Sequence, residues 1–138
     1  MLKSLLLNTF IMKLNKDLLI NLIPSLIVMT IIFISSSTPG QVINETAFGS
    51  PKLQISGHYF IFTLLCIAFY KAVKDISLSI YLSIFYAIID EIHQSFVPMR
   101  SASLFDIFTD TFGILVAGLI LWKLQHFLPK KLKIWLNN

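Results

Sequence analysis

The chain has 138 residues and a net charge of +4, with 56% hydrophobic and 13% charged residues and a mean hydropathy of +0.79. That balance excludes an ordinary soluble domain, in which charged residues make up about a quarter of the composition, and the length suits one bundle of about four membrane helices at ~20 residues each. The lysines stand in separate places flanking apolar segments and do not form one basic surface, so nucleic-acid binding is not expected.

In chain order, residues 1–17 carry Leu5, Leu6, Leu7, Phe10, Ile11 and Met12, too few apolar residues to span, and read as an interfacial helix on the cytoplasmic side. Met12, which opens Met-Lys-Leu-Asn-Lys, is a second candidate start. The first span covers residues 18–36, where Pro24 predicts a kink and not an end, because neighbouring helices make up for a lost backbone bond inside a membrane. This run exceeds the ~7 to 15 apolar residues of a secretory signal. Thr38-Pro39-Gly40 and Gly49-Ser50-Pro51 mark the first connection, residues 55–70 the second span, and Lys71 to Asp75 the next connection. The third span runs from 76 to 89 and on toward Phe96, Pro98 to Ser103 turn the chain, and residues 104–122 form the fourth span. The expected fold is an all-α integral membrane bundle of four transmembrane helices, a domain over residues 18–125 followed by a basic tail over 126–138.

The lysines orient it. Lys3, Lys13 and Lys16 precede the first span, Lys71 and Lys74 join the second to the third, and Lys123, Lys130, Lys131 and Lys133 follow the fourth. Only Lys52 and Arg100 fall on the opposite side, so the positive-inside bias puts both termini in the cytoplasm and those two loops outside, in a multi-pass protein of the cell membrane. The surplus charge then serves topology and contact with anionic lipid.

The third and fourth spans enclose Asp90-Glu91-Ile92-His93-Gln94-Ser95-Phe96-Val97-Pro98-Met99-Arg100, followed by Asp106 and Asp110. Ionisable groups at bilayer depth are expensive and usually face a bundle interior, pair with one another, and mark a functional site. His58 precedes Lys71 by 13 residues, Asp110 precedes Lys123 by 13, and Asp90 follows Asp75 by 15. At 1.5 Å per residue each lies about 20 Å from the cytoplasmic end of its helix, within a core about 30 Å thick. Three helices therefore bring ionisable groups to one level in the outer half, which implies a pocket that opens outward, with Asp106 one turn nearer the surface and Arg100 above it. Ser79, Ser83, Tyr86, Asp90 and Gln94 follow helical spacing and form a polar stripe; Asp106, Asp110, Gly113 and Ala117 share a face of the fourth span. Glu91 points about 100° from Asp90, and the spacing leaves open whether both enter the same pocket.

Asp90-Glu91, Gln94, Phe96, Pro98, Arg100, Asp106, Gly113 and Gly118, with Ser36-Ser37 before Pro39 and His58 early in the second span, resemble the pattern of the VanZ-like membrane protein family. The resemblance covers the whole expected bundle, and Asp-Glu-x-x-Gln-x-Phe-x-Pro-x-Arg is its specific part. It implies a small helical membrane protein of the cell envelope, similar to the teicoplanin-resistance factor and concerned with lowering sensitivity to lipoglycopeptides. The chain departs from the family pattern in carrying Ile55 where relatives commonly have lysine, with Lys52 nearby, and Asp110 where they commonly have asparagine.

Two chemistries fit the cluster. In the first, Arg100, Gln94, His58, Asp90, Glu91, Asp106 and Asp110 bind the head group of a membrane lipid, a lipid-linked cell-wall precursor or a lipoglycopeptide, with the Arg100 fork suited to phosphate or carboxylate. In the second, the catalytic candidates His58, Asp90, Glu91, Asp106 and Asp110 act as acid and base, or hold a divalent cation that activates water against a lipid head group. No cofactor other than such a cation is expected, and the many oxygens favour Mg2+, Ca2+ or Mn2+ over zinc. A small transporter is a weaker alternative, since no polar relay continues toward the cytoplasm. The structural alternative is an ion-pair network of Asp90, Asp106 and Arg100 that fixes the hairpin between the third and fourth spans, with Gln94 satisfying the remaining hydrogen bonds. His93 and His126 are expected to lie outside the site, Ser35 to Ser37 to cap the first span, and lone Cys66 to pack.

The topology has a direct check. A green fluorescent protein fused to either terminus is expected to fluoresce, and alkaline phosphatase inserted after Lys52 or Arg100 to be active; the reverse pattern would overturn the orientation.

Overall fold

The computed structural model describes the backbone of residues 2–45, 51–123 and 127–137, and side chains from Lys16 onward within these except Asn44, residues 51–55 and Asn137. Every element among the described residues is a helix: α1 (Leu2–Ser36), α2 (Gly40–Asn44), α3 (Pro51–Val73), α4 (Ile76–Gln94), α5 (Leu104–Lys123) and α6 (Lys130–Asn137). Four stretches are long and apolar enough to cross a membrane, Lys16–Ser36, Ser56–Val73, Ile76–Gln94 and Leu104–Lys123. The helix expected near the N-terminus is continuous with the first span, because neither glycine nor proline separates them and the chain stays helical through Pro24. The proline has no N–H, so the Ile20 carbonyl loses its helical donor there.

The spans alternate in direction. The α1 end at Ser36 lies beside Gln94 at the end of α4, and Met29 lies beside Tyr86 about two turns below, so α1 and α4 run parallel. The short α3–α4 connection makes that pair antiparallel, and α5 returns beside both. α3 is the central helix, packed against α1, α4 and α5. Its Phe62, Leu65 and Cys66 are fully buried and meet Ile32, Ala87, Ile114 and Ala117 from the surrounding helices. α1 sits outermost, with Leu19, Ile23, Leu26, Ile27, Ile31 and Ile34 turned out, an apolar face suited to lipid.

At the lysine-bearing end, Lys74 adopts a left-handed conformation (φ 56°) and closes α3 with a hydrogen bond from its N–H to the Tyr70 carbonyl. Asp75 then caps α4 by accepting from the Leu78 N–H at 2.7 Å. The tail contains a helix, α6, docked on this turn. The Lys71 ammonium donates to the Trp135 carbonyl at 2.9 Å and lies 4.9 Å from the centre of its ring, while Lys74 donates to the Leu136 carbonyl. Two cations thus satisfy last-turn carbonyls that the helix leaves without donors.

Two glycines mark close approaches. A β-carbon on Gly113 would stand 2.5 Å from the Tyr59 carbonyl oxygen, so α5 meets α3 backbone to backbone, and Thr63 crosses the gap to the Gly113 carbonyl at 3.1 Å. At Gly40 a β-carbon would overlap the Met99 carbonyl, where α2 packs on the turn that precedes Arg100. Nothing lies within 4 Å of a β-carbon on Gly57. Gly113→Ala is therefore expected to destabilise the purified protein by about 1–3 kcal/mol, the usual range for overpacking, while Gly57→Ala leaves thermal unfolding in detergent unchanged or raised. Equal behaviour of the two variants would contradict this packing.

Candidate functional site

α4 carries the polar residues inward. Its buried face consists of Ser79, Ser83, Ala87, Asp90, Glu91 and Gln94, as the helical spacing requires. The two serines satisfy themselves within the helix, Ser79 donating to the Asp75 carbonyl at 2.6 Å and Ser83 to the Ser79 carbonyl at 2.7 Å. Tyr86 donates its hydroxyl to the Met29 carbonyl at 2.9 Å. The lower half of the stripe is thus engaged in helix bonds and packing, and the chemistry lies at the end opposite the lysines.

There the residues separate into two sets. In the first, Gln94 donates through Nε2 to Asp90 Oδ2 at 2.8 Å and accepts through Oε1 from Arg100 Nη1 at 3.4 Å, with Ser36 Oγ also 3.5 Å from Nε2. This amide orientation serves the carboxylate and the guanidinium together. Arg100 further donates Nε to the Thr38 carbonyl at 3.4 Å and Nη2 to the Ser35 carbonyl at 3.2 Å, tying the α4–α5 turn to the end of α1. Among the described residues Arg100 has no carboxylate within ion-pair distance. In place of the Asp90–Asp106–Arg100 ion-pair network of the structural alternative stands a relay through Gln94, because the i,i+4 spacing places that amide between Asp90 and the turn.

The second set combines three helices. His58 Nδ1 of α3 lies 3.3 Å from Asp110 Oδ1 of α5, at ion-pair distance but without hydrogen-bond alignment, and Glu91 of α4 joins them. One potential ligand atom from each residue falls within 4.8 Å of the others. Glu91 is 2% exposed and Asp110 is 0% exposed. Glu91 Oε2 accepts from the Ser103 N–H at 2.8 Å, which aims its other oxygen at the cluster. His58 Nδ1, Glu91 Oε1 and both Asp110 oxygens are buried without a hydrogen-bond partner. Depth alone leaves open which of the neighbouring acids meets His58 and Asp110: Glu91 completes the cluster, and Asp90 is turned toward Gln94.

Asp106 stands one turn above Asp110 and lines a cavity of about 290 Å³ together with Gln94, Arg100, Ser101, Ser103 and Gly40. His93 joins neither set and packs against α1: its ring stacks on Phe33 at 4.7 Å and its Nε2 lies 3.0 Å from Ser37 Oγ. Ser37 itself bonds the Phe33 carbonyl at 2.7 Å and Ser35 bonds the Ile31 carbonyl at 3.0 Å, as hydroxyls at a helix end do. The only advance signal for His93 was its position one residue before Gln94. Cys66 is buried and free. His126 and the side chains of Lys52 and Ile55 lie outside the described residues.

An all-helical bundle with four apolar spans and a buried polar end defines a helical membrane protein. Residues 19–127 match the model of the VanZ/LLP1 family, and the chain belongs to that family. No curated protein and no solved structure matches it.

The Gln94 relay yields a double-mutant test. Gln94→Glu cannot donate to Asp90 and sets two carboxylates together, so it is expected to lower stability by roughly 1.5–3 kcal/mol. Adding Asp90→Asn restores a donor facing the new carboxylate, and thermal unfolding of the double variant should recover by more than about 1 kcal/mol relative to additivity. Purely additive losses would show that the relay is not an energetic unit.

Proposed function

We propose that the protein is a multi-pass protein of the cell membrane, with both termini cytoplasmic, that holds the anionic head group of a lipid-linked cell-wall precursor at the outer leaflet. Binding there would lower sensitivity to teicoplanin-type lipoglycopeptides by covering or altering their target. The observation that carries this reading is Arg100. Its guanidinium lines a polar cavity at the end of the bundle with no carboxylate paired to it among the described residues. A guanidinium has five N–H groups; contacts to Thr38, Gln94 and Ser35 use three, which leaves two for a ligand. The fixed planar fork matches phosphate or carboxylate oxygens. Ser101, Ser103 and Gln94 supply further polar contacts, and Asp106 would disfavour a dianion close to its own side of the cavity.

A second reading, a membrane-embedded hydrolase or transferase acting on a lipid head group, is favoured by the His58–Glu91–Asp110 cluster next to this cavity. Imidazole and carboxylate in contact are the usual means of moving a proton in such reactions.

Expression of the wild-type chain in a susceptible Gram-positive host should raise the inhibitory concentration of teicoplanin several-fold and leave that of vancomycin unchanged. Arg100→Ala and Asp90→Asn, at equal membrane levels, should abolish the effect. Absence of protection by well-expressed wild type would remove the resistance role, and a change in the envelope-lipid profile that depends on His58 would move the assignment to the enzyme.

A further inference from the structure

We propose that His58, Glu91 and Asp110 form a binding site for a divalent transition-metal ion, with Mn2+ or Zn2+ as the fitting class. This goes beyond the head-group reading and does not depend on it.

Three side chains from three helices converge here in a region built of apolar spans, and their facing atoms have no hydrogen-bond partner, although His58 Nδ1 and Asp110 Oδ1 touch at 3.3 Å. His58 Nδ1, Glu91 Oε1, Asp110 Oδ1 and Asp110 Oδ2 are all buried without a hydrogen bond. A buried polar group left unsatisfied bears its full desolvation cost, larger still if charged. No lysine or arginine neutralises the two carboxylates among the described residues, since the nearest cation along the chain, Arg100, is directed to Gln94, Ser35 and Thr38. One cation placed between them would serve one such atom of each residue and compensate the paired negative charge.

The spacing suits an ion. Bonds of about 2.1 Å place ligand atoms up to about 4.2 Å apart across a metal, and here they lie within 4.8 Å of one another, so small side-chain rotations close the site without moving a helix. Glu91 is already oriented: the Ser103 N–H occupies Oε2 at 2.8 Å and leaves Oε1 for the ion, the outer hydrogen bond that ligating carboxylates commonly receive. Ring contact with Phe62 at 6.3 Å backs His58 from below.

The imidazole decides the class of metal. Mg2+ and Ca2+ prefer oxygen donors throughout, whereas one imidazole with two carboxylates suits Mn2+ or Zn2+. This revises the expectation from the wider five-residue set, in which oxygen predominated. Three protein ligands also leave positions open for water or a substrate oxygen. Ser103, which orients Glu91, lines the cavity above together with Asp106, so an open position would lie beside the space assigned to the head group.

The test uses the full chain, purified in detergent, stripped with a chelator and titrated with Mn2+. Stoichiometric Mn2+ with nitrogen hyperfine coupling in pulsed electron paramagnetic resonance is expected, displaced by Zn2+ and not by equal concentrations of Mg2+ or Ca2+. Asp110→Asn and Glu91→Gln should each weaken binding more than about tenfold, with folding verified by thermal unfolding and gel filtration. Folded wild type that binds neither metal overturns the proposal, as does Mn2+ bound without nitrogen coupling or with affinity unchanged in either folded variant. If both variants fail to fold, the nitrogen coupling of the wild type decides.

Discussion

Asp90 and Glu91 are neighbours on a helix packed against other apolar spans, and both are buried. Hydrocarbon offers no water to either, so each must find its partners within the bundle. A rotation of about 100° per residue sends them in different directions. Asp90 meets Gln94 one turn on; Glu91 faces α3 and α5 and takes the Ser103 N–H. The two polar centres at this end follow from that divergence, one centred on Arg100 and the other on His58 and Asp110.

The rest of the fold holds those directions. Gly113 lets α5 approach α3 closely, which brings Asp110 opposite His58 one turn higher along both helices. Gly40 lets the segment after α1 lie on the Pro98–Met99 turn, its N–H donating to the Pro98 carbonyl at 3.1 Å. Arg100 leaves that turn and crosses to the carbonyls of Ser35 and Thr38. At the other end, Lys71 and Lys74 tie α6 to the base of α3 and α4, well away from the site.

The division clarifies what the polar residues do. Ser79, Ser83 and Tyr86 are occupied by carbonyls of their own or adjacent helices, so they supply no relay through the lower half of the bundle. Such an arrangement suits binding or reaction at one membrane surface better than passage through the protein. Arg100 is a charge with spare donors; His58, Glu91 and Asp110 are acceptors with spare lone pairs. An anion fits the former, which lines the cavity bordered by Ser103 and Asp106, and a cation the latter, which Ser103 adjoins through its N–H to Glu91.

Composition and periodicity were enough to determine the four spans, the inward face of α4 and the concentration of charge at one end, because hydropathy and a period of 3.6 residues are local properties of the chain. The level shared by His58 and Asp110 was legible for the same reason: a fixed rise per residue converts sequence distance into depth. Which carboxylate joined them was decided only in three dimensions. Depth cannot distinguish Asp90 from Glu91, which differ by a single residue; the rotation of α4 against α3 and α5 does. The bonds of Arg100 to Ser35 and Thr38, the contact of His93 with Ser37 and the docking of α6 likewise join residues far apart in the chain, and depend on how the helices pack.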